Sequence, residues 1–182
     1  MKTMHDDVAK ILVSKEEIAE IVKNLGEKIT KEYAGKNPLI LCVLKGAAPF
    51  ATDLFRALDT EAQMDFVQIS SYGTGTTSGA LKIKRDADAD IEGRHIIVVD
   101  DILDTGNTLN YFCGYLRSQN PASVALCVML DKKERRTADI EADYVGAVVP
   151  DEFIVGYGLD YAEQYRALPF VGILKPEVYE KK

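Results

Sequence analysis

A chain of 182 residues, 47% of them hydrophobic, is long enough to close one domain around a sizeable core. Its formal net charge of −7 argues against nucleic acid or an anionic membrane as the main partner. No apolar stretch approaches the length of a membrane span, and the polar opening MKTMHDD is no secretion signal, so a cytoplasmic protein is expected.

Ser14-Lys15-Glu16-Glu17 has the form of a capping box, and Ile18, Ile21, Val22, Leu25 and Ile29 follow at helical spacing. Residues 39–44, LILCVL, read as a buried strand, which Lys45-Gly46-Ala47-Ala48 turns into a helix running to about Leu58. Residues 64–71 read as a strand, and 81–84 as the second arm of a hairpin-like excursion. Between them, residues 70–79 (SSYGTGTTSG) set three glycines among small hydroxyl side chains. Such a segment cannot pack a core and predicts a mobile loop. The DADAD stretch at 86–90 reads as a solvated loop.

Residues 96–100 form the predicted central strand, with a helix from about Thr108 to Ser118. Residues 123–130 (SVALCVML) are another buried strand, and 144–149 and 153–157 are shorter ones. Strand–helix alternation predicts an α/β fold, a mostly parallel central sheet flanked by helices. No internal repeat, linker or low-complexity tract breaks the chain, so residues 1–182 are expected to form a single domain. Cys42, Cys113 and Cys127 are odd in number and lie in apolar surroundings, which predicts buried reduced thiols, not disulfides or a metal site.

The run IIVVDDILDTGNTL, residues 96–109, carries the most chemistry. Four β-branched aliphatics read as a strand buried on both faces, delivering Asp100 and Asp101 to its carboxyl end. Asp104-Thr105-Gly106-Asn107-Thr108 then opens a helix, where free N–H groups and the positive end of the dipole meet. Gly106 permits close backbone approach to a phosphate, and the Thr105 and Thr108 hydroxyls can add hydrogen bonds. Carboxylates before a phosphate cup suit a phosphorylated sugar: the acids take ribose hydroxyls and Mg²⁺, and the loop takes the 5′-phosphate. An ordinary helix cap needs one short polar residue, not three carboxylates and a glycine.

From Val98 to Thr108 the pattern resembles the phosphoribosyl pyrophosphate signature of the type I phosphoribosyltransferases. Leu44-Lys45-Gly46 is similar to the loop with which the hypoxanthine-guanine members of that family grip pyrophosphate, and implies a cis peptide between Leu44 and Lys45. Ser71 and Tyr72 match the pair that opens the family's closing lid over the sugar-pyrophosphate. The carboxyl third, with Lys132, DEFIVGYGLDY and Arg166, is similar to the family's base-recognition region. One departure is Asp100, where the vertebrate-like pattern frequently has Glu.

The resemblance implies the family's fold, with a core over about 37–150 and a small hood from about 1–36 and 151–182. It implies purine salvage: transfer of the 5-phosphoribosyl group from phosphoribosyl pyrophosphate to hypoxanthine or guanine, in a homodimer or homotetramer using Mg²⁺. It makes Asp104 the group that manages the proton on the base's N7, and gives the phosphates to Lys45, Gly46, Ser71, Tyr72, Thr105, Gly106, Asn107, Thr108 and Arg166. Asp100 and Asp101 take ribose; Lys132 donates to the purine 6-oxo group; Phe153 stacks on the base; the backbone around Ile154 reads its edge. Asp160 lies at the base and, with Asp100 and Asp101, towards the metal.

Three alternatives differ in what they require. A relative acting on adenine or a pyrimidine tends to lack Asp at position 104, and a xanthine-guanine enzyme has a first loop unlike Lys45-Gly46. A non-catalytic sensor of phosphoribosyl pyrophosphate usually carries a DNA-binding module, whereas about 38 residues precede the first predicted strand here.

Overall fold

The computed structural model describes residues 3–71 and 81–180. A first strand, β1 (Val8–Val13), leads into helix α1 (Lys15–Tyr33). The predicted capping box forms: the Ser14 hydroxyl accepts from the Glu17 N–H at 3.2 Å, and the Glu17 carboxylate accepts from the Ser14 N–H at 2.7 Å. Two of the helix's orphan donors are thereby satisfied.

The central sheet has six strands in the order β4-β3-β2-β5-β6-β7. These are β2 (Leu39–Leu44), β3 (Gln63–Ser71), β4 (Leu81–Arg85), β5 (His95–Leu103), β6 (Ser123–Asp131) and β7 (Tyr144–Val148). All pairs are parallel except β3 with β4, the predicted hairpin-like edge. Helix α2 (Ala48–Ala57) follows β2, and α3 (Asn107–Arg117) follows β5.

Alternation along the strands explains why the sheet is covered on both sides. Ile40, Cys42, Ile97, Val99, Cys127 and Met129 face the α1–α2 layer. Leu39, Leu41, Ile96, Val98, Leu126 and Val128 face Leu109, Phe112, Cys113 and Leu116 of α3. A period of two with apolar residues at both phases leaves no solvent face, so the strands read as continuous aliphatic runs. The three cysteines are buried and unbridged.

Over the carboxyl end of this sheet lies a second, three-stranded antiparallel sheet in the order β1-β9-β8. It joins β1 to β8 (Ile154–Val155) and β9 (Val171–Leu174), just ahead of the short helix α4 (Pro176–Tyr179). Two expectations change here. The chain's first strand is β1, not β2, and α1 packs on the central sheet while only β1 of the amino-terminal segment joins the hood. The strand expected over 153–157 shortens because Gly156 (φ +99°) and Tyr157 (φ +46°) take conformations that no strand can continue.

Candidate active site

The chain runs from β2 outward to β3 and then returns to place β5 on the other side of β2. The switch point between β2 and β5 is where open α/β sheets leave a crevice for ligands. The loops after these two strands meet there. The Leu44–Lys45 peptide is cis. A side chain at Gly46 would overlap the Asp101 carboxylate, and one at Gly158 would overlap the Gly46 carbonyl, so three segments converge without room for a Cβ.

β5 extends three residues beyond its predicted end. Asp100, Ile102 and Leu103 still pair with Val128, Leu130 and Asp131 of β6, so both aspartates lie within the strand and not past it. Apolar Ile102 and Leu103 prolong the ladder. Removal from water pushes the Asp100 carboxyl well above the ordinary range, and neighbouring Asp101 adds to this. Burial raises Asp101 too, against the opposing pull of hydrogen bonds and of Arg166.

Gly106, at φ +83°, caps α3 and accepts from the Asn110 N–H at 2.8 Å. A recess of about 200 Å³ opens over this loop, walled by Asp100, Asp101, Asp104, Thr105, Gly106 and Thr108. Asn107 is exposed, and its amide reaches back to the Thr137 hydroxyl at 3.5 Å, away from the recess. Any part it takes in the cup falls to its backbone N–H.

Beside the recess lies a larger cleft of about 380 Å³, whose walls include Asp104, Lys132, Arg135, Asp151, Phe153 and Tyr179. Lys132 is 6% exposed; its ammonium donates to the Glu152 carbonyl at 2.9 Å and lies 3.5 Å from Asp151. One Asp104 oxygen is covered, accepts no hydrogen bond, and has the Arg135 guanidinium 3.5 Å away. The Phe153 ring stacks on Tyr179 (centroids 4.7 Å, 20° between planes) and meets Tyr161 edge-on at 5.5 Å. Ile154 lies in β8, an edge strand whose outer backbone groups are unpaired within the sheet. Asp104 walls both cavities, so it stands at their junction.

A cationic cluster borders Gly46. The Arg166 guanidinium donates to the Gly158 carbonyl at 2.7 Å and lies 2.8 Å from Asp160, whose other oxygen accepts from the Glu163 N–H at 2.9 Å. Glu163 reaches Lys45 at 3.0 Å and Arg166 at 3.4 Å, a single carboxylate on both cations. Asp160 is not gathered with Asp100 and Asp101 into one centre: among the described residues no three acidic, His or Cys side chains converge as a metal cage. Ser71 ends β3 with its backbone paired to Leu81, while Tyr72 and the rest of the expected lid lie outside the described residues.

Arg135, Glu163 and Tyr179 carry no spacing signal, and Asp151 enters only as the first residue of the DEFIVGYGLDY segment. They reach the site from segments whose meeting is a tertiary event.

Comparison with known proteins places these features in a group. Residues 8–162 match the model of the phosphoribosyl transferase domain. The bifunctional protein TilS/HprT of Listeria monocytogenes is 52% identical over 181 residues, which are 99% of this chain but 28% of that protein's length. The hypoxanthine-guanine phosphoribosyltransferase of Streptococcus thermophilus is 52% identical over 98% of this chain and 99% of its own. The crystal structure of a hypoxanthine phosphoribosyltransferase from Staphylococcus aureus superimposes with a TM-score of 0.96 at 46% identity, covering 99% of this chain and 98% of that one.

Proposed function

The chain belongs to the phosphoribosyl transferase domain family, among the hypoxanthine-guanine phosphoribosyltransferases, and from this we propose that it transfers the 5-phosphoribosyl group from phosphoribosyl pyrophosphate to hypoxanthine or guanine. The products are IMP or GMP and pyrophosphate. The observation that carries the reading is the position of Asp104, shared by the recess over the helix-opening loop and an aromatic cleft. A nucleotide laid across both has its glycosidic bond at that junction.

In this reading the helix-opening loop at 105–108 holds the 5′-phosphate with its N–H groups and the Thr105 and Thr108 hydroxyls. Asp100 and Asp101 face the ribose. Lys45, Gly46 and Arg166, with Ser71 and Tyr72, serve the pyrophosphate, which displaces the Glu163 carboxylate from its two cations. In the cleft, Phe153 and Tyr179 supply aromatic surface for the purine. Lys132 has three donors, two of them engaged by Glu152 and Asp151, which leaves one for the 6-oxo group. Adenine, with a donor at that position, would meet a donor. The backbone of Ile154 reads the base edge, with Asp160 close by.

The bond from ribose C1 to the pyrophosphate oxygen breaks, a purine ring nitrogen bonds to C1, and the electron pair leaves with pyrophosphate. Asp104 takes the proton from N7 of the base and returns it in the reverse direction; its covered oxygen, beside Arg135 but without a hydrogen bond, is the acceptor. The site residues suit Mg²⁺: two adjacent carboxylates, both pushed up by burial, are relieved by a divalent cation. Asp100 and Asp101 would hold it on the ribose side; Asp160, which stands apart from them beside Arg166, would help hold metal on the pyrophosphate side, and when bound the metal offsets the charge of the departing pyrophosphate. An acidic protein working on so anionic a substrate requires that offset. The enzyme is read as cytoplasmic and, as the resemblance implies, as a homodimer or homotetramer; no described helix is long and apolar enough to cross a membrane.

The test is nucleotide formation from phosphoribosyl pyrophosphate and Mg²⁺ with hypoxanthine, guanine, xanthine, adenine and uracil offered separately. Turnover of the first two, with adenine and uracil inert, is expected. Activity on adenine or uracil overturns the base assignment, and binding without turnover makes the chain a sensor.

A further inference from the structure

Arg136 is a wall of neither cavity and its side chain is 10% exposed, yet it is tied to both through the backbone. Its Nε donates to the Asp104 carbonyl at 3.0 Å, Nη2 to the Leu103 carbonyl at 3.2 Å, and Nη1 to the Ile140 carbonyl at 2.8 Å. Nη2 also pairs with Asp131, a fully buried carboxylate at the end of β6. Next to it, the Thr137 and Ala138 N–H groups both donate to the Thr105 carbonyl at 3.0 Å. Three consecutive carbonyls, those of residues 103, 104 and 105, are thus turned to one side.

A planar trans peptide points its carbonyl and the following N–H in opposite directions. Among the described residues the one cis peptide is Leu44–Lys45, so these three peptides are trans. Holding the Leu103 carbonyl against Arg136 and the Lys132 N–H (3.0 Å), and the next two against 136–138, therefore turns the N–H groups of Asp104, Thr105 and Gly106 the other way, towards the recess. Gly106 completes the fit: a Cβ there would come within 2.7 Å of the Ile140 side chain and 2.9 Å of Arg136 Cδ. A lysine could not take this place. Three carbonyls and a carboxylate need the planar fork of a guanidinium, whereas an ammonium offers three donors around one point.

We propose that Arg136, anchored by Asp131, is a positioning residue that aims the phosphate loop's N–H groups, and with them Asp104, at the substrate. The inference rests on the reading of the 105–108 loop as a 5′-phosphate cup. It adds a residue that touches no substrate but sets the loop's affinity for one end of it.

The test pairs two variants with one measurement on the wild type. Arg136→Lys keeps a cation beside buried Asp131, and the double variant Asp131→Asn/Arg136→Gln removes both charges together, which avoids stranding either. Ribose 5-phosphate is titrated by calorimetry, and KM is measured separately for phosphoribosyl pyrophosphate and for hypoxanthine. Both variants are expected to keep the wild-type circular dichroism, to bind ribose 5-phosphate roughly 10- to 100-fold more weakly and to show a KM for phosphoribosyl pyrophosphate raised by a similar factor, the scale of a small misplacement. KM for hypoxanthine at saturating co-substrate should move little. Unchanged ribose 5-phosphate affinity in a folded variant, or equal loss on both substrates, overturns the proposal.

Amide hydrogen exchange on the wild type gives a result whether or not the variants fold. The N–H groups of Asp104, Thr105 and Gly106 should be protected by ribose 5-phosphate, and their indifference to it overturns the proposal. The wild type also separates the two readings. If it binds ribose 5-phosphate but makes no nucleotide, the transferase reading fails and the positioning role stands or falls on the variants. If it does not bind ribose 5-phosphate, the cup and the positioning role fail together.

Discussion

At the scale of single residues, the site works by withholding ordinary partners from chosen atoms. Asp104 keeps an oxygen covered but without a hydrogen bond, and Arg166 keeps its Nε in the same condition, although both side chains have ionic neighbours. A buried polar atom without a partner costs about 1–3 kcal/mol, so such atoms are expected where a ligand completes them. Asp104→Asn preserves size and shape while removing the proton acceptor. Steady-state kinetics should show turnover reduced by roughly 10²–10⁴-fold, with KM for phosphoribosyl pyrophosphate close to that of the wild type. Wild-type turnover in that variant would remove Asp104 from the chemistry. Gly46 and Gly158 act differently, by what they lack: their missing side chains let two loops and the Asp101 carboxylate meet.

At the scale of elements, connections do much of the work that strands and helices make possible. The acidic stretch after β4, read from sequence as solvated, is fastened by Asp65 of β3. Its carboxylate accepts from the N–H groups of Phe66 and Asp88, both at 2.7 Å, and of Ala89 at 3.0 Å. Burial alone would raise the Asp65 pKa, but these bonds and Arg85 outweigh it and hold the carboxyl below its ordinary value of 3.8. A pKa lowered by folding means stability that is complete above the unfolded-state value and lost as pH falls through the folded one. Asp65→Asn replaces an acceptor by a donor and should cost about 1–3 kcal/mol at neutral pH in urea unfolding. The gap between variant and wild type should narrow below about pH 4, where the wild-type carboxyl protonates too. A gap independent of pH would show that the charge plays no part. The stretch is thus less free than its composition implies: Asp86 also accepts from the Tyr115 hydroxyl of α3.

At the scale of the whole molecule, hood and core share one buried cluster. Val13 of β1, Ile154 of β8 and Val171 of β9 belong to the same buried cluster as α1, α2 and one face of the central sheet. The Tyr157 hydroxyl donates to Asp53 of α2 at 2.9 Å, a second tie across the boundary. The hood's own cluster, around Val155, Tyr165, Leu168, Phe170 and Leu174, is too small to stand alone. Unfolding should therefore be a single transition, coincident by far-ultraviolet circular dichroism and by the fluorescence of the nine tyrosines in this tryptophan-free chain. Two separated transitions would make the hood an independent unit.

What the sequence determined by itself was whatever depends on residue spacing along one element. The period-two aliphatic runs of β2, β5 and β6, the capping box of α1, and the acid–loop–helix unit around Asp104 and Gly106 were all legible, because local periodicity and turn chemistry act within a few residues. So was the family, since its motifs are themselves local. The tertiary structure alone decided three things. It extended β5 past Asp101 through pairing with β6, and it recruited β1 to a sheet with β9, some 160 residues away. It also brought Arg135, Arg136, Glu163 and Tyr179 to the site. Pairing of distant segments depends on which surfaces remain uncovered after the core has formed, and no window of sequence contains that information.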